Sequence, residues 1–187
     1  MSTNLLVITA STRPGRAGPV IADWVAKTAR AHGSFDVSEV DLAAMNLPLL
    51  DEPNHPGMQD YQHDHTKAWS DTIAPADAFI FVTPEYDYFP PASIVNAIQC
   101  LVHEWRYKPA GVVSYGGVSG GMRGAEELRK LAVNLGMMPI PQSVPLPFYP
   151  EFVQDGVFTP NEKMSEGAQI MLTELAKLAP ALKTVRS

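Results

Sequence analysis

"NLLVITASTRPGRAGPVIADWVAKTARAHG", Asn4 to Gly33, decides the fold. Its first seven residues are mostly apolar, without strict alternation, which suits a strand buried on both faces. Pro19 stands where a helix begins, a position at which its missing N–H leaves no bond unmade. Val20, Ile21, Trp24, Val25 and Ala29 then fall on one helical face, and Gly33 stops the run. A buried strand, a short polar turn and an amphipathic helix form the first half of a βαβ unit.

The same alternation continues along the chain. "FDVSEVDL" (35–42) alternates apolar and polar residues and reads as an edge strand. "ADAFIFVT" (76–83), "AGVVSY" (110–115) and the weaker "MMPIPQSV" (137–144) are short apolar runs like the first. Helical stripes lie between and after them. One covers 65–74 and turns Trp69 and Ile73 inward; another runs from Ile94 to Trp105. A third joins Leu128, Leu131, Ala132 and Leu135 before Gly136, and a last one runs from Ala168 to Leu182. Strands alternating with helices predict an α/β fold with right-handed crossovers. Five strands fit a flavodoxin-like, doubly wound parallel sheet of order 2-1-3-4-5, with helices on both faces, better than a six-stranded dinucleotide fold.

The chain has 187 residues, 45% apolar and 18% charged, which suits a single domain over 1–187 with a buried core. The stretches 43–64 and 142–162 hold many of its 17 prolines and read as surface excursions on that domain. A net charge of -6 argues against a nucleic-acid partner or an anionic membrane surface, both of which need a basic face. One cysteine excludes an internal disulfide framework and points to a reducing, cytoplasmic setting. The first fifteen residues lack a basic leader, and no stretch approaches a membrane span.

In such a sheet ligands bind beyond the carboxyl ends of the strands, where strand order reverses. The loops after strands 1, 3 and 4 should meet there: "STRPGRAGP" (11–19), "TPEYDYFPP" (83–91) and "SYGGVSGG" (114–121). The first ends at a helix N-terminus, which favours an anion. Ser11 and Thr12 offer hydroxyls there, Arg13 and Arg16 offer paired donors, and Gly15 and Gly18 permit close approach. The plain alternative is a polar turn with two solvated arginines. Glu85, Tyr86, Asp87, Tyr88 and Phe89 give the second loop an aromatic wall with a polar edge, suited to a planar ring system. Its alternative is aromatic packing over the sheet. The third loop has Gly116, Gly117, Gly120 and Gly121, more glycines than a tight turn readily explains.

At "ASTRPGR", "TPEYDYFPPASIVNAIQ" and "VSYGGVSGG" the sequence resembles the NADPH-dependent FMN reductase family, whose members include quinone, azo-dye and chromate reductases. The resemblance runs over residues 4–145. It implies that Ser11, Arg13, Arg16 and Gly18, with Thr12 beside them, hold the FMN phosphate. It places Pro84, Glu85, Tyr86 and Asp87 along the isoalloxazine and ribityl chain, and Ser114, Tyr115, Gly116 and Gly117 on the pyrimidine side. It further implies NADPH as hydride donor with NADH as an alternative, a small-molecule electron acceptor, and a homodimer or dimer of dimers. The cofactor carries the redox chemistry, so no protein group is expected to act as catalytic acid, base or nucleophile.

Two departures stand out. The family loop typically reads P-E-Y-N and then a small residue, whereas this chain has Asp87 and Tyr88. An ionised aspartate only accepts hydrogen bonds, whereas an asparagine also donates. A flavodoxin-like electron carrier, or a scaffold that has lost its flavin, are the competing readings. Elsewhere Cys100 reads as a packed side chain and the Met137–Met138 pair as core. His55, His63 and His65 read as a solvated loop without zinc spacing, and His103 and Glu104 as interface residues.

Overall fold

The computed structural model describes residues 3–186, so both termini of the expected domain lie outside the described residues. Five strands, β1 (Thr3–Thr9), β2 (Phe35–Asp41), β3 (Ala78–Pro84), β4 (Pro109–Gly116) and β5 (Met138–Pro147), pair in parallel in the order β2-β1-β3-β4-β5. This is the flavodoxin-like arrangement expected from the apolar runs. Two strands that follow each other in sequence, β2 and β3, flank β1, which creates the reversal of strand order at β1 and β3.

Helices α1 (Gly18–His32) and α6 (Glu162–Arg186) cover one face of the sheet. On the other lie α2 (Leu42–Met45), α3 (Asp64–Ile73), α4 (Ala92–Gln99) and α5 (Met122–Asn134). Each face has its own core. Val7, Ile80 and Val113 point towards Ile21, Val25, Met171 and Leu175. Their neighbours Ile8, Phe79 and Val112 point towards Trp69, Ile98, Trp105 and Leu128. The alternation along each strand divides one continuous apolar run between two cores. Each fully buried branched or aromatic side chain contributes on the order of 1.5–3 kcal/mol.

Four details differ from the sequence expectations. The stripe from Ile94 to Trp105 is not one helix: α4 ends at Gln99, and Trp105 sits in a separate 3₁₀ turn. The indole N–H groups of Trp69 and Trp105 donate to the carbonyls of Ala97 and Ile98, at 2.7 and 3.0 Å, and so satisfy the end of α4. The fifth strand runs on to Pro147 despite Pro139, Pro141, Pro145 and Pro147, because it is an edge strand with a register irregularity opposite Ala110–Val112. Residues 142–162 are therefore partly sheet, and they also carry a hairpin, β6 (Val153–Gln154) and β7 (Val157–Phe158). Its Phe158 is buried against Trp24.

Two further side chains change character. Met137 is core, but Met138 is half exposed. Glu104 is not a surface residue for a partner: it is buried and accepts from Tyr61, Ser70 and Gln59. Cys100 is buried, and burial pushes its thiol up to about 11, which leaves it unreactive at neutral pH. Among the described residues no helix is long and apolar enough to cross a membrane, and no cluster of metal-ligating side chains forms.

Candidate functional site

The loops after β1, β3 and β4 meet at the carboxyl end of the sheet. They enclose a cavity of about 70 Å³ lined by Ser11, Arg13, Arg16, Pro84, Glu85, Tyr86, Tyr115 and Gly116, together with Ala17 and Tyr149. Eight of these ten were expected at the site. Tyr149 comes from the segment after β5 and was not among the expected site residues. Its ring packs edge-on to Tyr115 at 5.0 Å.

The cavity is rich in donors. The Ser11 and Tyr86 hydroxyls lie 2.7 Å apart, so one donates to the other across the opening. The Tyr115 hydroxyl and the Arg16 Nε are buried with no hydrogen-bond partner among the described residues. Burial, then the neighbouring Tyr86, pushes the Tyr115 phenol above its ordinary range, so it stays protonated and able to donate. Helix α1 begins here at Gly18, with Pro19 in its first turn, no side-chain cap and no acidic residue in that turn. Pro19 has no N–H and that of Ile21 bonds the Ala17 carbonyl, so the Gly18 and Val20 N–H groups are the ones open to an anion among the described residues. Gly18 is required by close packing: a Cβ there would lie 2.9 Å from the Thr9 methyl and 3.1 Å from the Tyr115 hydroxyl.

Arg16 also forms an ion pair with Asp41 at the end of β2. The other oxygen of Asp41 accepts from the Ala43 N–H and caps α2. The second arginine, Arg13, is exposed on the loop.

Other expected residues lie at the edges or serve the scaffold. Thr12 is exposed and lines a neighbouring cavity of about 440 Å³ with Leu42, Leu47, Leu49, Asn46 and Ser93. Asn96 anchors that cavity's far wall by donating to the Pro48 carbonyl and accepting from the Leu50 N–H. Ser114 is fully buried and donates to the Gly120 carbonyl at 2.9 Å, so its hydroxyl serves the loop. Gly120 and Gly121 have φ of 59° and 81°, and a Cβ on Gly121 would fall 2.7 Å from the Tyr115 backbone nitrogen. Gly116 packs against that same turn. The loop's own geometry thus explains three of its four glycines, while Gly117 faces open space.

Glu85 lines the cavity, yet its carboxylate points to α5. It accepts from the Ser119 hydroxyl and from the Arg123 and Gly124 N–H groups, at 3.1, 2.9 and 3.2 Å. Burial alone would raise this carboxyl, but those bonds and the Arg123 charge hold it below the usual range. Asp87 and Tyr88 form the tip of a two-residue turn, closed by reciprocal bonds between Tyr86 and Phe89 at 2.8 and 2.9 Å. Both have positive φ, 48° and 73°. Such turns favour Asn-Gly, so Tyr88 occupies a backbone conformation that a bulky residue rarely adopts. Its ring lies beneath the Arg123 guanidinium, 4.3 Å from centroid to cation.

The family model for NADPH-dependent FMN reductases matches residues 3–151. The chain belongs to the NADPH-dependent FMN reductase family. It is 40% identical over 162 residues to an NAD(P)H-dependent FMN reductase of Schizosaccharomyces pombe, covering 86% of this chain and 80% of that one. It is 35% identical over 124 residues, 63% of each chain, to an NAD(P)H:quinone oxidoreductase of Solanum tuberosum. Among solved structures, the flavoenzyme NAD(P)H:(acceptor) oxidoreductase FerB of Paracoccus denitrificans shares the fold. It matches at a TM-score of 0.73 with 22% identity, over 96% of this chain and 98% of that one.

The residues present fit a mononucleotide phosphate. At the start of α1 the Tyr115 hydroxyl and the Arg16 Nε, both without a partner among the described residues, and the Ser11–Tyr86 hydroxyl pair belong to side chains that line one cavity.

Proposed function

We propose that this chain is an FMN-dependent NAD(P)H oxidoreductase, one functional domain over 1–187, that reduces a small quinone-type acceptor. The observation that carries the reading is the convergence of three loops on a donor-rich pocket at the N-terminus of α1, with a buried phenol and a buried guanidinium nitrogen left without partners among the described residues. When bound, FMN supplies the two-electron chemistry, taking hydride from NAD(P)H and passing it to the acceptor.

The protein's own part is binding and orientation. Tyr115 and whichever of Ser11 and Tyr86 keeps its hydrogen free would donate to the phosphate, and Arg13 and Arg16 would neutralise its charge. Proton movement at these groups is not required, since burial keeps the Tyr115 phenol neutral. Tyr86, Tyr88 and Phe89 form an exposed aromatic rim beside the pocket and exclude water from whatever lies against them. Glu85 locks that rim to α5. Across the same first loop, the cavity beside Thr12 has an uncharged lining with three leucines, which suits a neutral ring such as a quinone. Quinone reductases among the relatives support the same acceptor class. A cytoplasmic homodimer or dimer of dimers completes the proposal. Phe89, 60% exposed, is available for such an interface.

The test is anaerobic stopped-flow on FMN-loaded protein with NADPH and then NADH, followed by a panel of quinones, azo compounds and free FMN. Bleaching of the flavin band by the nucleotide and recovery by a quinone are expected. Tight FMN binding with no bleaching by either nucleotide would replace this reading with an electron carrier. Light scattering on the purified protein checks the oligomer.

A further inference from the structure

Arg123 stands apart from the cations already assigned. Arg16 pairs with Asp41, and Arg13 lies on the loop that serves the mononucleotide phosphate. Arg123 opens α5 on the opposite rim and does not line the phosphate cavity. One face of its guanidinium lies over the Tyr88 ring at 4.3 Å, and its Nη1 sits 3.4 Å from the Glu85 carboxylate. These two contacts hold it beside the 86–89 turn. Its remaining donors have no partner among the described residues, and the side chain is 46% exposed.

Glu85 does not compete for the outer edge, because its oxygens are filled by Ser119 and by the N–H groups of Arg123 and Gly124. A guanidinium held against an aromatic ring, with donors left free, can hold a phosphate through paired hydrogen bonds. Tyr88 beneath it is 60% exposed and gives the same rim an aromatic surface for a purine base.

We propose that Arg123 binds the 2′-phosphate of the incoming dinucleotide and thereby sets a preference for NADPH over NADH. The inference rests on the oxidoreductase reading above. It also gives Tyr88 a purpose: a glycine at this turn would relax the backbone but remove the ring that holds the guanidinium in place.

The experiment compares FMN-loaded wild type with R123A, R123Q and R123K. It reads kcat/KM for NADPH and NADH, and the affinities for adenosine 2′,5′-bisphosphate and adenosine 5′-monophosphate by calorimetry. The NADPH:NADH ratio of kcat/KM is expected to fall by about tenfold or more in R123A and R123Q, and R123K is expected to keep part of it. Wild type is expected to bind the bisphosphate about tenfold more tightly than the monophosphate, with the difference lost in R123A. A ratio that stays within about twofold, even if both nucleotides lose rate together, overturns the proposal, since a residue that only positions the loop affects both alike. Equal affinity of wild type for the two adenosine phosphates overturns it without any variant. Wild type that takes up no FMN, or takes it up and oxidises neither nucleotide, overturns the oxidoreductase reading itself, a result distinct from a failure at Arg123.

Discussion

Asp41 and Arg16 show how a single pair can set the strength of a phosphate site. Asp41 draws the guanidinium towards the end of β2 and puts a negative charge beside the place proposed for the cofactor's phosphate. Asp41→Asn keeps an acceptor for the Ala43 N–H and removes the charge. FMN affinity, followed by quenching of flavin fluorescence, is expected to rise by about three- to tenfold. Arg13→Ala is expected to weaken it by about tenfold or more, with unfolding free energy changed by less than about 0.5 kcal/mol, because Arg13 is exposed and contributes to no core. An unchanged affinity in the second variant would return Arg13 to the role of a solvated loop residue. The arginines themselves were legible from the sequence. Asp41 was not, because it meets Arg16 only through the pairing of β1 with β2, 25 residues apart.

The turn over 86–89 and the start of α5 behave as one element. Glu85 joins them, with its carboxylate capping a helix whose N–H groups lie 38 and 39 residues further along. Glu85→Ala is expected to destabilise the protein by about 1–3 kcal/mol, since it leaves those N–H groups without their acceptor. The sign of the pH dependence follows from the direction of its shift. A carboxyl held below its ordinary value stabilises the fold above the unfolded value of about 4.3, and that contribution is lost as pH falls through the folded value. Urea unfolding of wild type and E85Q from about pH 7 down to pH 3 should show a constant gap that narrows below about pH 4. A gap that does not change with pH would mean that the charge contributes nothing. Motif resemblance placed Glu85 along the flavin, and the residue lines the cavity at the carboxyl end of the sheet. The direction of its carboxylate depended on where α5 starts, a tertiary fact. The same holds for α4, which the apolar stripe carried to Trp105 but two indole donors stop at Gln99.

At the scale of the molecule, the end of the sheet opposite the site carries its own polar structure. Lys108 is buried and donates to the Ile73 and Ala74 carbonyls at 3.0 and 2.9 Å, which closes the end of α3. Nearby, Asp77 ties Lys183 and Arg186 of α6 to the sheet. Burial, then the Arg186 charge, pulls Lys108 down to about 8. Its unfolded value is near 10.4, so the unfolded chain binds more protons between the two, and stability rises with pH across that window. Melting temperature should therefore climb from about pH 8 to about pH 9.5, before unfolded tyrosines ionise, and Lys108→Met should flatten the rise. A flat wild-type profile would mean that the amine is solvated. The sequence by itself determined the layered α/β fold, the strand order and the three loops of the site. Hydrophobic periodicity, proline and glycine placement and the chirality of crossovers are local or nearly local rules. Only the tertiary structure decided which polar groups remain open. Asp41 engages Arg16, α5 takes the Glu85 carboxylate, Ser114 turns inward, and the Tyr115 hydroxyl is left without a partner. A side chain's residue type states what it can bind, but its free valence depends on neighbours that are distant in the chain and adjacent only after folding.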